Sequence, residues 1–499
     1  MTEMKRRQAA IAGFGWGGIA GLVLVALMYL AAFGFGLHPL PQRLNEPLLA
    51  AMPGWLFGLL IDHLQHAGKV IEELGLIVAM VLLLAALGAL CFVAARRWTS
   101  QYLPFAFAAA AWTVVCGGLL PISGEGAFGL AAGLATPLIW AALFAIYAVV
   151  LQMGLQPARE VDGGRRRFLG TVPLAIGAVS VGVLAWRLLP DWYQAVFSAP
   201  ESGLAGPSPA ITPVANFYVV SKNFGDPAVD GQAWRLHVQG MVDKPLTLSL
   251  AELRNLPPTT EYVTFACISN DVGGNLISTG SFTGIPLRDL VAMASPGAGA
   301  RWVAFRSRDG YTESLPLADV QRSAEIMVAY DLDGSPLPDS HGFPARMVIP
   351  GRYGMKAPKW LDSVELGAQE TGGYWEQQGW DHNAIVRTTS RFDLPREGDI
   401  LKLGQISLAG IAFGGTRGVS KVEYTTDGGS TWNEAPFDPP LSPLTWVLWR
   451  ATWTPRAEGA YRLMVRATDG QGQVQESRAS GSYPAGATGY HAIDVNVAK

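Results

Sequence analysis

Cys267, in Phe265-Ala266-Cys267-Ile268-Ser269-Asn270, is the one cysteine outside the apolar N-terminal region that holds Cys91 and Cys116. A lone thiol has no cysteine of its own domain with which to close a disulfide, so it is buried filler, a nucleophile or a soft metal ligand. Donor-rich segments accompany it. Asn216-Phe217-Tyr218-Val219-Val220-Ser221-Lys222 is an extended aromatic run ending in a cation. In Asp339-Ser340-His341-Gly342-Phe343-Pro344-Ala345-Arg346, glycine and proline set a turn between two donor side chains, His341 and Arg346. In the stretch from Pro350 to Trp360, Gly351 and Gly354 permit close backbone approach, and Arg352, Lys356 and Lys359 offer charge-assisted donors. Such a loop suits an anionic ligand; its plainer reading is a solvated surface turn.

The elements that must position these groups are short. Between residues 214 and 375, β-type runs (Trp234 to Val238, Tyr262 to Ala266, Trp302 to Phe305) alternate with helical pieces (Leu248 to Leu253, Pro286 to Met293), an α+β pattern. From residue 385 to 499 the pattern is all β. Asp427-Gly428-Gly429 marks a hairpin between Lys421 to Thr426 and Thr431 to Asn433, and Tyr461 to Ala467 alternates before Asp469-Gly470. Strands at this density predict an immunoglobulin-like sandwich, without the cysteine pair of antibody domains.

Of the 499 residues 49% are hydrophobic and 15% charged, and the apolar excess is concentrated in residues 1 to 190. Four runs there are long enough to cross a bilayer, Phe14 to Phe35, Leu74 to Ala95, Ala127 to Leu151 and Phe168 to Leu189, and a shorter fifth is Leu103 to Leu120. The expectation is an α-helical membrane bundle of about five spans. Leu48 to Leu64, interrupted by Pro53, Gly54, Asp62 and His63, is expected to lie at the interface or re-enter. Lys5 to Arg7, Arg96 with Arg97, and Arg159 with Arg165 to Arg167 fall between spans so as to mark one cytoplasmic side, which puts everything after Leu189 outside, in a bacterium the periplasm or cell exterior. Residues 191 to 213, rich in Pro, Gly, Ser and Ala, read as a linker. A net charge of −3 with no run of like charge argues against nucleic-acid partners.

From residue 213 onward the ordered segments Phe265 to Asn270, Gly284-Ile285-Pro286-Leu287, Asp309-Gly310-Tyr311, Ser314 to Leu317, Val328-Ala329-Tyr330, His341 to Pro344 and Pro350 to Trp360 resemble the sulfite oxidase family of molybdopterin enzymes. That family includes bacterial sulfoxide reductases of the same fold. The C-terminal part, with Gly410 to Phe413 and Ser442 to Trp446, resembles its immunoglobulin-like dimerisation domain, which implies a possible homodimer. The resemblance implies that Cys267 ligates molybdenum, a soft thiolate beside the pterin dithiolene. It implies that Asn216, Tyr218, Val219, Ser221, Lys222, His341, Arg346, Ala357, Pro358 and Lys359 cradle the pterin and its phosphate, and that Tyr311 hydrogen-bonds to a metal-bound oxygen or to substrate.

The chain departs from the family at three places. Where sulfite oxidases hold their anion with arginines, Val220 and Val272 stand here, and Phe282 replaces a tryptophan. Arg306, Arg308, Arg352 and Lys356 are the cations expected to compensate. The implied activity is two-electron oxygen-atom transfer on a small substrate by a membrane-anchored, outward-facing molybdenum oxidoreductase. The alternatives are an S- or N-oxide reductase in place of a sulfite-type oxidase, or a non-catalytic cell-surface binding protein. His38, His63 and His66 lie outside the expected spans, so no haem is expected there; the bundle serves as a lipid-embedded anchor, with a quinone site or redox-partner surface as options. Gly164-Arg165-Arg166-Arg167-Phe168-Leu169-Gly170 looks like an internal twin-arginine export signal, and its plainer reading is positive-inside charge beside a helix.

Overall fold

The computed structural model describes residues 2–35, 37, 39–52, 54–98, 100–122, 126–155, 178–186, 206–222 and 226–499. They divide into two compact units, one of N-terminal helices and one built mainly of strands.

In the helical unit four helices are long and apolar enough to cross a membrane: Arg6–Phe35, Ile71–Ala94, Leu103–Ile122 and Ala135–Leu155. The last begins at Ala135 and not at the expected Ala127, because Ala127–Ala132 is a separate 3₁₀ segment. Gly126, Phe128, Gly129 and Gly133 take positive φ around it, which no right-handed helix contains. Of the expected span Phe168 to Leu189 only 178–186 are described, and they are helical; the arginine motif of residues 164–170 lies outside the described residues. The stretch from Leu48 to Leu64 lies outside the four candidate spans. It is divided between the helix Leu40–Ala51 and the helix Gly54–Ala94, which continues without a break into the second span, since Asp62 and His63 are not helix breakers. His38 and the side chains of His63 and His66 lie outside the described residues. The helix Thr2–Phe35 approaches Gly54–Ala94 through glycine: a Cβ built on Gly88 would lie 2.5 Å from the carbonyl of Gly13.

The strand unit opens with two sheets around one apolar core. The first orders its strands Leu246–Ser249, Arg235–Gly240, Leu361–Gly367, Trp302–Ser307, Thr312–Pro316; the second orders them Thr259–Ala266, Ile277–Pro286, Met327–Leu332, Ser335–Pro336. Leu236, Val303, Phe305 and Val364 from the first meet Val263, Phe265, Phe282 and Val328 from the second, all buried. The short helices Leu250–Arg254, Leu287–Ala294 and Leu317–Arg322 follow strands directly, as expected of an α+β domain. A three-stranded and a five-stranded sheet then form a sandwich, with Phe392, Leu408 and Trp449 of one facing Val422, Leu463 and Val495 of the other.

Two joints brace the strand that leads to Cys267. Along the free edge of Thr259–Ala266, Thr264 donates its N–H to the Leu444 carbonyl at 3.1 Å, and its hydroxyl accepts from the Trp446 N–H at 2.9 Å. Arg391 of the sandwich donates to the Gly274 carbonyl at 2.5 Å and to the Ser208 hydroxyl at 3.0 Å. The end of the expected linker is thus already folded, with Ser208 buried and Thr212 hydrogen-bonded through its backbone to Thr279.

Candidate active site

Thr259–Ala266 is a strand because Tyr262, Val263, Thr264 and Phe265 favour a pleated, half-buried surface, and it ends where Cys267 enters a turn. The turn is closed by Asn270, whose N–H donates to the Cys267 carbonyl at 3.1 Å and whose side-chain oxygen accepts from the Leu276 N–H at 2.8 Å. Cys267 is buried, its sulfur 3.1 Å from the Ser269 hydroxyl. Burial pushes its thiol up, opposed by the Ser269 hydroxyl and by the N–H groups of Ser269 and Ile268. Those donors are turned toward a thiolate.

Three tyrosines surround it at electrostatic range, Tyr218, Tyr311 and Tyr353, and burial raises each above its ordinary value. The Tyr218 N–H donates to Ser278 at 3.1 Å; Gly354 lies so near its hydroxyl that a Cβ there would come within 2.7 Å. The Tyr311 hydroxyl donates to the Met355 carbonyl at 2.6 Å.

Arg346 is the most telling cation. Its guanidinium lies over the rings of Phe265 and Phe282 and donates only to carbonyls, those of His341 and Met347 at 3.3 Å and of Ala357 at 3.5 Å. Among the described residues no carboxylate pairs with it, and burial pulls it down to about 10. A buried charge left so is costly unless a ligand completes it. His341, also buried, is pushed down to about 4 by desolvation and by Arg346 and Lys359, so it is a neutral donor. Gly342 behind it takes φ 104°, and a Cβ there would meet the Lys359 side chain at 2.9 Å. Lys359 donates to the Ser340 carbonyl at 2.8 Å and to the Ser221 hydroxyl at 2.6 Å, which joins the Asn216 to Lys222 run to the Pro350 to Trp360 loop. Lys222 is buried with its ammonium 5.0 Å above the Tyr374 ring, and that ring is 5.8 Å from Tyr311. Ala357 and Pro358 contribute main chain, Ala357 its carbonyl to Arg346 and Pro358 its carbonyl to the Met347 N–H at 2.8 Å. Asn216 and Val219 are exposed.

The cations expected to replace the missing arginines have other partners. Arg306 is half-exposed and pairs with Glu365 at 3.5 Å; Arg308 pairs with Asp362 at 3.0 Å. Arg352 donates to Asp319 at 3.0 Å and to the Asn383 carbonyl at 2.6 Å. Lys356 is buried between Glu313 and Glu376. None of the four offers an unneutralised charge. Glu313 and Glu376 escape sequence reasoning, although one signal exists: Tyr311, Glu313 and Leu315 alternate in an extended run, so Glu313 faces inward with two buried neighbours.

Residues 223–375 match the family model described as the oxidoreductase molybdopterin binding domain, and residues 382–496 match that of the Mo-co oxidoreductase dimerisation domain. Sulfite oxidase of Arabidopsis thaliana is 30% identical over 286 residues, which cover 47% of this chain and 72% of the relative. The chain belongs to the sulfite oxidase family. Mitochondrial sulfite oxidase of Mus musculus, another member, is 30% identical over 296 residues, 50% of this chain and 54% of the relative, so the chain spans about half the length of that protein. The solved sulfane dehydrogenase SoxCD from Paracoccus pantotrophus shares the fold, with a TM-score of 0.52 and 22% identity over 60% of this chain and 86% of the other. Membership of the sulfite oxidase family implies a molybdenum–pterin cofactor. The donor set fits it: a buried thiol under N–H groups, a buried guanidinium with no carboxylate partner among the described residues, and the cations Lys359, hydrogen-bonded to Ser221, and Lys222, next to Ser221 in sequence.

Proposed function

We propose that this chain is a membrane-anchored molybdopterin oxidoreductase catalysing two-electron oxygen-atom transfer, with an uncharged S-oxide or N-oxide, or the corresponding reduced species, as substrate. The observation that carries the substrate reading is the neutralisation of Arg306, Arg308, Arg352 and Lys356 by carboxylates, next to Val220 and Val272. An anion such as sulfite would lose charge-assisted contacts of about 1.5–3 kcal/mol each, whereas a neutral oxide needs one or two donors. When bound, the cofactor supplies a metal centre that accepts or gives two electrons.

The chain's own residues hold and orient. Cys267 would supply the thiolate ligand, with the N–H groups of Ile268 and Ser269 offsetting part of the cost of burying its charge. Arg346, Lys359, Lys222 and Ser221 would hold the anionic pterin phosphate, with neutral His341 and the carbonyl-lined turn at Ala357 and Pro358 shaping its seat. Tyr311, kept protonated by burial, would turn its one O–H from the Met355 carbonyl to the oxygen being transferred. The arginines at 96–97 and 159–167 follow the second and fourth candidate spans, which supports a cytoplasmic face for those loops and an outward strand unit after a fifth crossing.

The test is turnover by full-length, molybdenum-loaded protein in detergent. Reduced viologen dye should be oxidised by dialkyl sulfoxides or N-oxides, and sulfite should reduce ferricyanide poorly. Efficient sulfite oxidation with no oxide reduction would overturn the substrate reading and favour the activity for which the named relatives are called.

A further inference from the structure

Lys356 lies within a chain of ionisable groups that runs from the neighbourhood of Tyr311 to solvent. Its ammonium is 2.5 Å from Oε1 of Glu313 and against Oε1 of Glu376, and all three side chains are at most 2% exposed. Oε2 of Glu376 accepts from the Gly373 N–H at 2.7 Å and lies 3.4 Å from Nδ1 of His382. His382 is 64% exposed, and its Nδ1 is also 3.5 Å from Glu370. At the inner end, Oε2 of Glu313 is buried without a hydrogen-bond partner, and Glu313 is the charged group whose field bears most on the Tyr311 hydroxyl.

One ammonium between two buried carboxylates leaves a negative charge in excess, and a dry interior resists that by binding a proton. The groups facing Glu313 set where it goes. Burial raises Glu313 to about 8 and Glu376 adds to the rise, while Lys356 opposes it; Glu376 itself is held below its ordinary value by hydrogen bonds from Lys356 and Gly373. A lysine and one glutamate would have made a neutral structural pair. The second carboxylate accepts from the Gly373 N–H and also links the buried cluster to an exposed imidazole.

We propose that Glu313, Lys356, Glu376 and His382 form a proton path between the Tyr311 side of the active site and solvent. It rests on the reading of the site as an oxygen-atom-transfer centre, in which reducing an oxide to water and the bare S or N compound consumes two protons with two electrons. For inward transfer the His382 Nδ1–H bond breaks and an O–H bond forms on Glu376. Lys356 gives one ammonium proton to Glu313 and recovers one from Glu376. The net result is one proton on Glu313 and one neutral imidazole, recharged from water; no electron moves.

Two measurements on the purified full-length chain test this. In the infrared, a protonated carboxyl band titrating near pH 8 should be present, vanish in Glu313→Gln and shift in Glu376→Gln. In turnover, His382→Ala should run at least about tenfold slower with unchanged molybdenum content and be restored by added imidazole, which a structural role would not be. A missing band, or His382→Ala turning over like the parent, overturns the path. If the parent transfers no oxygen atom at all, the functional reading has failed instead, and the infrared result alone decides whether the buried proton exists.

Discussion

The sulfur of Cys267 closes a strand with two N–H groups turned on it, so Cys267→Ser keeps the shape and removes the soft donor. Molybdenum per chain, measured by mass spectrometry, is expected to fall to background while the unfolding midpoint stays near that of the parent. Lys356→Met should behave differently. It removes the ammonium that faces the buried Glu376 carboxylate and should lower stability by about 3–5 kcal/mol. The same cluster gives a pH signature. Glu313 binds its proton more tightly folded than unfolded, so its contribution is full below the unfolded value of 4.5 and is lost as pH rises toward about 8. His341 and His491, both pushed down to about 4, act the other way: stability falls as pH drops below 6.5, where the unfolded imidazoles take up protons. Between pH 6.5 and 8 the denaturant midpoint should therefore fall with rising pH, and Glu313→Gln should flatten that slope.

At the scale of elements, the turn after the 3₁₀ segment Asp339–His341 decides whether the cofactor residues face one another. Gly342→Ala forces a side chain into positive φ and against Lys359, a cost of about 1–3 kcal/mol. The expected outcome is a modest loss of stability with a larger loss of retained pterin, read by fluorescence of the released cofactor. Strand positions were legible from alternation: Tyr262 to Ala266 lies within Thr259–Ala266, and Tyr461 to Ala467 within Gly459–Asp469. The start of the fourth span was not, because hydropathy averages over Gly126 to Gly133 while backbone φ is set residue by residue.

For the whole molecule, the proposed membrane anchoring raises the question of which side of the bilayer the strand unit occupies. Arg165→Lys with Arg166→Lys keeps the charge that orients a loop and removes the pair that twin-arginine export requires. If export follows that route, externally added protease should no longer reach the strand unit in the double variant; unchanged cleavage would leave the arginines with an orienting role alone. The match of residues 382–496 to a dimerisation domain adds a second expectation, that light scattering of the detergent-solubilised chain gives the mass of two copies.

Taken alone, the sequence determined the family and the apolar and strand-rich halves, and it offered Cys267 as the candidate centre of the chemistry, because order of motifs and periodicity are local properties. It could not say which charges survive folding. Lys356 meets carboxylates 43 and 20 residues away, Arg352 meets one 33 residues away, and Arg346 meets none. Ion pairing depends on distances that only the tertiary fold sets, so Arg352 and Lys356, which read as anion donors, became internal counter-charges, while Arg346, read as a donor beside them, meets no carboxylate among the described residues.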